Sequence, residues 1–490
     1  MIFNSYQFIF LFLPTVVIIY HFINSKNRYE AAKIFLLVAS LAFYVFFSFQ
    51  MLLILILSIL LNYLISLGIY KNPHNTTIKK TLLFIGIAFN LGLLIYYKYL
   101  GFFDGIINSV FKTGLSVQKT LIPLGISYYT FSQIAFLTDT FKDSDKKYNF
   151  IDYALFISFF PKISVGPIMF AKDLIPQFND PDRKKTDYNN IARGIIIFTM
   201  GLAKKVLVAD HLSKYVTWGY SNIDKLGTTN ALLTMLAYTL QIYFDFSGYC
   251  DMAKGIFQLL NLKASENFLS PYKALSIADF WKKWHITLTS FFTNYVYIPL
   301  GGNRKGKLRT YINMFIIFFL SGLWHGADFT FIIWGILHGI GITFSKLLKD
   351  KMLKIPKTIR HLGTFIFINI TWVFFRSSDL NEALDFFRQL FSFKFIPINI
   401  EFAAKTTPDE LQFIQWLILS ALDKTPYLSA CIISVGFLLC AIMICFYCKN
   451  SSEITAGIKL NSSVVTTTVI LLVLSILSLS NVTEFIYTNF

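Results

Sequence analysis

Long apolar runs separated by short polar loops recur from one end of the chain to the other. A helix needs roughly 20 predominantly apolar residues to cross the hydrocarbon core of a bilayer. About eleven runs approach that length, at residues 8–22, 34–49, 51–70, 82–97, 191–208, 231–244, 311–323, 329–347, 361–375, 428–447 and 464–479. The pattern predicts an all-α polytopic membrane protein with about eleven transmembrane helices. Because no soluble domain or internal repeat interrupts it, we expect one membrane-embedded domain over residues 1–490.

Three other segments do not fit a regular span. The apolar pieces near residues 121–138 and 150–170 contain Pro and Gly, which predicts re-entrant or broken helices. Such backbone is tolerated at membrane depth only where protein or a cavity surrounds it. Residues 407–410, T-P-D-E, combine a hydroxyl cap, Pro at the first helical position and Glu at the third. They predict the start of an interfacial helix over residues 411–419.

Composition and charge agree with a membrane protein. Only 14% of the residues are charged, against about 25% in soluble domains. The net charge of +17 would suggest nucleic acid in a soluble protein, but here the cations lie in short loops between the apolar runs. The positive-inside rule explains them better, so we expect membrane lipid and no nucleic acid as a partner. The basic loops that begin at Lys26 and Lys71 predict an N-terminus outside.

Three of the seven histidines lie in apolar surroundings. His325 stands between two apolar runs in S-G-L-W-H-G, residues 321–326. An ionisable side chain at membrane depth is costly, so a functional role is the first hypothesis; the alternative is a hydrogen-bonded histidine at a helix junction. His338 lies in a regular apolar run and is more typical of packing. No spacing of His, Cys or Asp resembles a metal site.

His285 is the second candidate, on a predicted amphipathic helix that begins at Ser276. One side of that helix carries apolar side chains that include Trp281, Trp284 and Leu288. His285 lies beside Trp281 on this apolar side. The residues alone leave open whether the imidazole is functional or only packed.

Several segments carry a family resemblance. Residues 280–289, F-W-K-K-W-H-I-T-L-T, resemble the F-W-x-x-W-H-[IM]-[ST]-L-[ST] signature of the membrane-bound O-acyltransferases. Other matching segments are Y-I-P-L-G-G-N-R at 297–304, L-W-H-G-A at 323–327, Y-F-D-F-S-G-Y at 243–249, N-F-L-S-P-Y at 267–272, P-L-G-I-S at 123–127, and F-P with V-G-P-I at 160–168. The string Y-I-P-L-G-G-N-R favours the polysaccharide branch, which contains the alginate and peptidoglycan O-acetyltransferase membrane subunits.

The resemblance implies a fold and an activity. The helices would surround a central tunnel in a bacterial cytoplasmic (inner) membrane. Acetyl would pass from a cytoplasmic donor, acetyl-CoA, to an extracytoplasmic polysaccharide, with peptidoglycan first and alginate or another exopolysaccharide as alternatives. An extracytoplasmic acetyltransferase partner is expected, and no permanently bound cofactor. A secondary transporter or flippase is the alternative of another class, since broken helices and intramembrane histidines would also suit one.

The resemblance also suggests roles for single residues. His325 would be the general base, and His285 would line the same cavity. The residues expected to bind substrate are Trp281, Trp284, Trp324, Asn303 and Arg304. The chain ends F-I-Y-T-N-F, residues 485–490, which resembles the tail of the polysaccharide branch. The resemblance implies that Tyr487 is a transient acyl carrier; the alternative is an interfacial aromatic anchor.

Overall fold

Helices form the regular structure of the chain. A computed structural model describes residues 2–114, 121–164, 166–406, 426–481 and 485–486, and no strand occurs in these ranges. The prediction of an all-α protein is therefore confirmed. The predicted interfacial helix at 411–419 lies outside the described residues.

The helices group into two compact units, each assembled from separate stretches of chain. The first comprises Met1–Phe198, Met252–Glu266 and Thr287–Leu300. The second comprises Thr199–Asp251, Asn267–Ile286 and Gly301–Phe490. The single domain over residues 1–490 stays a prediction.

Each predicted apolar run overlaps one or more of the observed helices. Up to residue 203 the helices are Gln7–Phe12, Leu13–Ser25, Tyr29–Val45, Phe49–Lys71, Thr76–Leu94, Ile95–Tyr99, Leu100–Phe111, Ile126–Lys142, Phe150–Ser158, Phe160–Ile163, Ala171–Asn179, Pro181–Lys184 and Tyr188–Ala203. From residue 204 they are Lys204–Ala209, Asp210–Ser221, Ile223–Lys225, Gly227–Leu259, Pro271–Lys273, Ile277–Trp281, Ile286–Phe292, Thr293–Tyr297, Gly306–His325, Phe329–Leu347, Lys349–Leu353, Lys357–Arg376, Leu380–Leu390, Ile400–Thr406, Pro426–Tyr447, Ser451–Ala456, Ser462–Leu477 and Ser478–Asn481.

Six of the described helices are long and apolar enough to cross a membrane. They are Gln7–Ser25, Phe49–Lys71, Thr76–Phe111, Phe329–Leu347, Lys357–Arg376 and Tyr427–Tyr447. Large apolar side chains are exposed on these helices, such as Leu57 and Phe84 at 55% and 73% of their area. Lipid covers such a surface in a membrane protein. A multi-pass protein is therefore supported, whereas the count of eleven spans is not confirmed.

Of the two segments predicted to be re-entrant or broken, the one near residues 150–170 is broken, whereas the one near residues 121–138 contains an uninterrupted helix, Ile126–Lys142. The helix Phe150–Ser158 is followed by the non-helical Phe159 and then by a single turn, Phe160–Ile163. Gly125 has a positive φ of 68°, and a Cβ added there would lie 1.8 Å from the Ile163 carbonyl oxygen. Only glycine fits so close an approach of two backbone segments.

One predicted element is wrong. The single amphipathic helix expected from Ser276 through Leu288 is two short helices, Ile277–Trp281 and Ile286–Phe292. The predicted start is confirmed, because the Ser276 hydroxyl accepts the Asp279 N–H. The break falls between the two helices, at the candidate histidine.

Candidate active site

A helical hairpin positions His325. The first helix, Gly306–His325, ends at the histidine, and Gly326 follows in an extended conformation. The second helix, Phe329–Leu347, begins after Asp328, whose carboxylate accepts the Thr330 N–H at 2.9 Å. His325 is therefore the last helical residue before the turn, where the backbone on its C-terminal side is no longer helical.

Two glycines bring the helices of the hairpin into backbone contact. A Cβ on Gly322 would lie 2.4 Å from the Phe331 carbonyl oxygen, and a Cβ on Gly335 would lie 2.5 Å from that of Phe318. Both distances are too short for any side chain. The close approach fixes the height of His325 against the second helix.

Aromatic rings enclose the His325 imidazole, which is 2% exposed. The rings of Trp334 and Phe375 meet it edge-on, each with its centroid 5.1 Å away. Trp324, the preceding residue, lies 4.9 Å away. The arrangement surrounds the imidazole with apolar surface, and such surface excludes water and strengthens polar interactions inside a site.

His285 lies against the same group of rings. Its centroid is 6.5 Å from that of His325 and 6.0 Å from that of Trp324. Its backbone adopts a left-handed φ of 44°, which is uncommon for a residue with a side chain. Such strain persists only when the surrounding structure holds it, and it clusters at functional sites.

Asn267 holds His285 in place. The backbone carbonyl oxygen of Asn267 accepts the Ile286 N–H at 3.1 Å. In a continuous helix, a carbonyl of the preceding turn would accept this N–H instead. Its side-chain Nδ2 donates to Cys250 Sγ at 3.2 Å, so Oδ1 faces the imidazole and accepts the His285 Nδ1–H at 3.2 Å. The proton of the neutral imidazole is therefore on Nδ1, and Nε2 carries the lone pair.

The charge state of His285 follows from its burial. The side chain is completely buried, outside the six candidate spans, and burial lowers its pKa to about 3. Among the described residues no hydrogen-bond partner reaches its Nε2. A neutral imidazole with a bare nitrogen can accept a hydrogen bond or a proton from a reacting group.

The neighbouring tryptophans form the wall of the site. Trp281 donates its indole N–H to His338 Nδ1 at 3.1 Å. Trp284 stacks on Phe280, with centroids 5.5 Å apart. These two tryptophans are buried in the aromatic core next to the histidines, whereas Trp324 lies against both His285 and His325.

Asn303 and Arg304 lie on an exposed turn. Gly301 and Gly302 form it with positive φ angles of 101° and 53°. Among the described residues no hydrogen bond or ion pair joins the side chain of Asn303 or Arg304 to His285 or His325, so the structure does not connect these two predicted residues to the cluster.

Phe485 and Ile486, near the end of the chain, lie close to His285. Phe485 packs on Tyr249 and Phe246, with centroids 4.9 and 6.0 Å away. Phe246 in turn meets the His285 ring edge-on at 4.8 Å. Tyr487 itself lies outside the described residues, but Ile486, which precedes it, is held by Asp245 through its backbone N–H.

Two residues of this site carried no predicted role. Asn267 lies in the matching segment N-F-L-S-P-Y and Asp245 in Y-F-D-F-S-G-Y, but their partners are 18 and 241 positions away in the chain. In the sequence, only their position within those family-matching segments indicated that Asn267 and Asp245 could belong to the site. Among the described residues no group of three or more His, Cys, Asp or Glu side chains could hold a metal ion.

The helical fold, the apolar outer faces and the buried histidine pair define a multi-pass membrane protein with an enclosed polar site. The family model of the membrane-bound O-acyltransferases, MBOAT, matches residues 40–378. The chain therefore belongs to the membrane-bound O-acyltransferase family. It is an O-acyltransferase and so requires an acyl donor.

Individual relatives narrow the branch. The chain is 36% identical to the peptidoglycan O-acetyltransferase of Helicobacter pylori, over 100% of this chain and 98% of the relative. It is 37% identical to a probable alginate O-acetylase of Pseudomonas aeruginosa, over 80% of this chain and 75% of the relative. The teichoic acid D-alanyltransferase of Bacillus subtilis is 30% identical over 45% of this chain and 58% of its own length.

Proposed function

We propose that this chain moves acetyl groups from cytoplasmic acetyl-CoA across the membrane for O-acetylation of an extracytoplasmic polysaccharide. Peptidoglycan is the first candidate, because similarity to a protein named peptidoglycan O-acetyltransferase extends over the whole chain. Alginate is the second, because similarity to a probable alginate O-acetylase covers four fifths of it. The observation that carries the proposal is the buried pair of His285 and His325, 6.5 Å apart, in a chain of this family.

The transfer needs a base, and we assign that role to His325. The Tyr487 phenol gives its proton to the imidazole while its oxygen attacks the thioester carbonyl of the donor. A C–O bond forms, the C–S bond breaks, and the proton leaves with the thiolate as the free thiol. Atoms and charge balance, and the product is an acetyl ester on Tyr487.

His285 supports this step through its lone pair. Because Asn267 keeps the proton on Nδ1, Nε2 of His285 is available to accept a hydrogen bond from the attacking hydroxyl or from a protonated His325. The low pKa keeps His285 neutral while His325 cycles between its two forms. We therefore assign His285 to orientation of the reacting groups and His325 to proton transfer.

The remaining predicted residues act around this centre. Trp324, which lies against both histidines, would contact the acyl group. Trp281 and Trp284 would form the dry wall behind it. Arg304, on its exposed turn, would attract the phosphates of acetyl-CoA from solution. Asn303 would assist there.

The location follows from the same proposal. We place the chain in a bacterial cytoplasmic (inner) membrane with its N-terminus outside, so that the basic loops face the donor. The acetylated tail would face a tunnel that opens outward. An extracytoplasmic acetyltransferase partner would take the acetyl group and pass it to the polysaccharide.

The test is covalent labelling. Purified protein in proteoliposomes would be given acetyl-CoA labelled in the acetyl group. The protein would then be separated from the free donor, and the label bound to it would be measured. We expect one labelled acetyl per chain and release of free CoA. A secondary transporter or flippase would move intact solute and leave the protein unlabelled, and that result would overturn the proposal.

A further inference from the structure

The segment Y-F-D-F-S-G-Y contains a buried carboxylate that acetyl transfer as proposed above does not use. Asp245, on the helix Gly227–Leu259, is 1% exposed. Its Oδ1 lies 2.8 Å from Lys205 Nζ, and the same ammonium lies 2.7 Å from Asp210 Oδ1. A buried charge needs such compensation. The ion pair therefore fixes one oxygen of Asp245 and leaves the other for a further partner.

That further partner is the end of the chain. Asp245 Oδ2 accepts the Ile486 N–H at 2.9 Å. Phe485 packs on Phe246 and Tyr249, the next residue and the residue one turn later on the same helix. A charge-assisted hydrogen bond and ring packing thus hold two consecutive tail residues, and Phe485 is only 6% exposed.

The chain offers a matched carboxylate that does not hold the tail. Asp251 lies six positions later on the same helix and is also buried. It pairs with Lys204 at 2.6 Å and accepts the Ser451 hydroxyl at 2.6 Å. Lys204 and Lys205 open the π-helical segment Lys204–Ala209, so two consecutive lysines reach two carboxylates of one helix. π-Helical turns of this kind are frequent at functional sites.

We propose that Asp245 is a positioning residue that anchors the C-terminal tail through the Ile486 amide, with Lys205 holding its carboxylate. The anchor places the tail beside Phe246, whose ring meets that of His285 at 4.8 Å. Successive Cα atoms are only about 3.8 Å apart, so an anchor at Ile486 would limit how far Tyr487, the next residue, can move from it. This inference rests on the proposed function, in which Tyr487 carries the acyl group.

The first experiment removes the hydrogen-bond donor, the Ile486 N–H, and leaves the ion pair between Asp245 and Lys205 intact. Ile486→Pro lacks the backbone N–H, whereas Ile486→Ala changes the side chain and keeps it. Each purified protein would be treated with a carboxypeptidase in the absence of acetyl donor, and intact mass would follow the loss of residues 488–490 only. A hydrogen bond to a charged group corresponds to about a ten- to hundredfold change in the docked fraction. We expect trimming of Ile486→Pro to accelerate by about that factor, with Ile486→Ala close to wild type.

The second experiment changes the carboxylate. Asp245→Leu should release the tail as Ile486→Pro does, and the control Asp251→Asn should not. Should Asp245→Leu fail to fold, the Ile486 pair alone decides, because those variants leave the buried ions untouched. Equal trimming rates for wild type and Ile486→Pro, or for Ile486→Ala and Ile486→Pro, would overturn the anchor.

A third measurement separates the anchoring role of Asp245 from the proposed carrier role of Tyr487. During donor turnover we expect tail acetylation to fall in Ile486→Pro relative to Ile486→Ala, with an unchanged unfolding temperature. Equal acetylation of these two variants would overturn the positioning role. If Tyr487→Phe remains fully active while the Ile486→Pro tail is released, the anchor stands and the carrier role in the proposed function fails.

Discussion

At the residue scale, the two buried histidines have different surroundings. Asn267 fixes the proton of His285 on Nδ1, and burial keeps that ring neutral. His325 instead lies at a helix end among edge-on rings. The proposed function gives orientation to His285 and proton transfer to His325, and each proposed role makes a separate prediction.

His325→Ala should lower acetyl transfer by about 10²- to 10⁴-fold, which is the usual contribution of a general base. The unfolding temperature in detergent should stay near that of the wild type, because the rings of Trp334 and Phe375 still close the site. The control is His21→Gln, which replaces another buried histidine whose Nε2 contacts the Leu259 carbonyl oxygen. Near wild-type transfer by His325→Ala would refute the assignment.

Asn267→Asp should make activity depend on pH in a new way. In the wild type the pKa of His285 is about 3, so the ring is neutral throughout the working range. A carboxylate beside Nδ1 favours the imidazolium and raises this pKa. As the pH falls from about 8 to about 5 the variant should therefore protonate Nε2 and lose activity more steeply than the wild type.

The control for this pH profile is Asn267→Leu, which removes the hydrogen bond without adding charge. It should lose activity at every pH with no new inflection. If Asn267→Asp keeps the wild-type profile, His285 does not act through its lone pair.

At the scale of elements, the glycine-packed hairpin positions His325, and Phe485 near the end of the chain packs against the helix Gly227–Leu259. Neither arrangement follows from helix propensity. The hairpin depends on glycines that meet backbone oxygens, and the tail depends on a helix far away in the chain. A prediction belongs to each.

Gly335→Ala should destabilise the protein by about 1–3 kcal/mol, as expected when a group is forced into a filled space. The added Cβ would lie 2.5 Å from the Phe318 carbonyl oxygen, so the hairpin must open and move His325. Gly363→Ala is the matched control, because its Cβ would meet nothing within 4 Å. In a helix that change gains up to about 1 kcal/mol. Thermal unfolding and acetyl transfer would be measured for both variants. A Gly335→Ala protein that is more stable than the wild type would contradict the close packing of the hairpin.

Tyr487→Phe should abolish acetyl transfer with little effect on stability, because it removes only the hydroxyl of a tail residue. Intact mass during donor turnover should show one acetyl on the wild type and none on the variant. The control is Tyr447→Phe, which changes an exposed tyrosine at the end of a helix. This variant should still carry one acetyl, because it keeps Tyr487. Full activity of Tyr487→Phe would leave Tyr487 as an interfacial anchor.

At the scale of the whole molecule, the proposed function has a direction. Acetyl-CoA should label the protein only from the cytoplasmic side, because the basic loops are predicted to face it. Inverted membrane vesicles should therefore incorporate labelled acetyl from added donor, whereas right-side-out vesicles should do so only after permeabilisation. Equal labelling of both intact preparations would contradict the predicted orientation.

Features that depend on residues close together in the chain could be read before the fold was known. Apolar runs of membrane length predicted the helices, the Ser276 cap predicted a helix start, and Pro and Gly predicted the broken segment after residue 150. The matching segments indicated the family, which the family model confirms. Burial of apolar side chains and local backbone geometry suffice for these conclusions.

Contacts between distant parts of the chain could not be read in this way. The helix break at His285 exists because Asn267, 18 positions earlier, supplies a backbone oxygen and a side-chain oxygen that compete with helix continuation. Trp281 finds His338 57 positions later, and Asp245 finds Ile486 241 positions later. Tertiary packing overrides the weak local preference for one continuous helix, because it pairs buried polar groups that would otherwise have lost their hydrogen bonds.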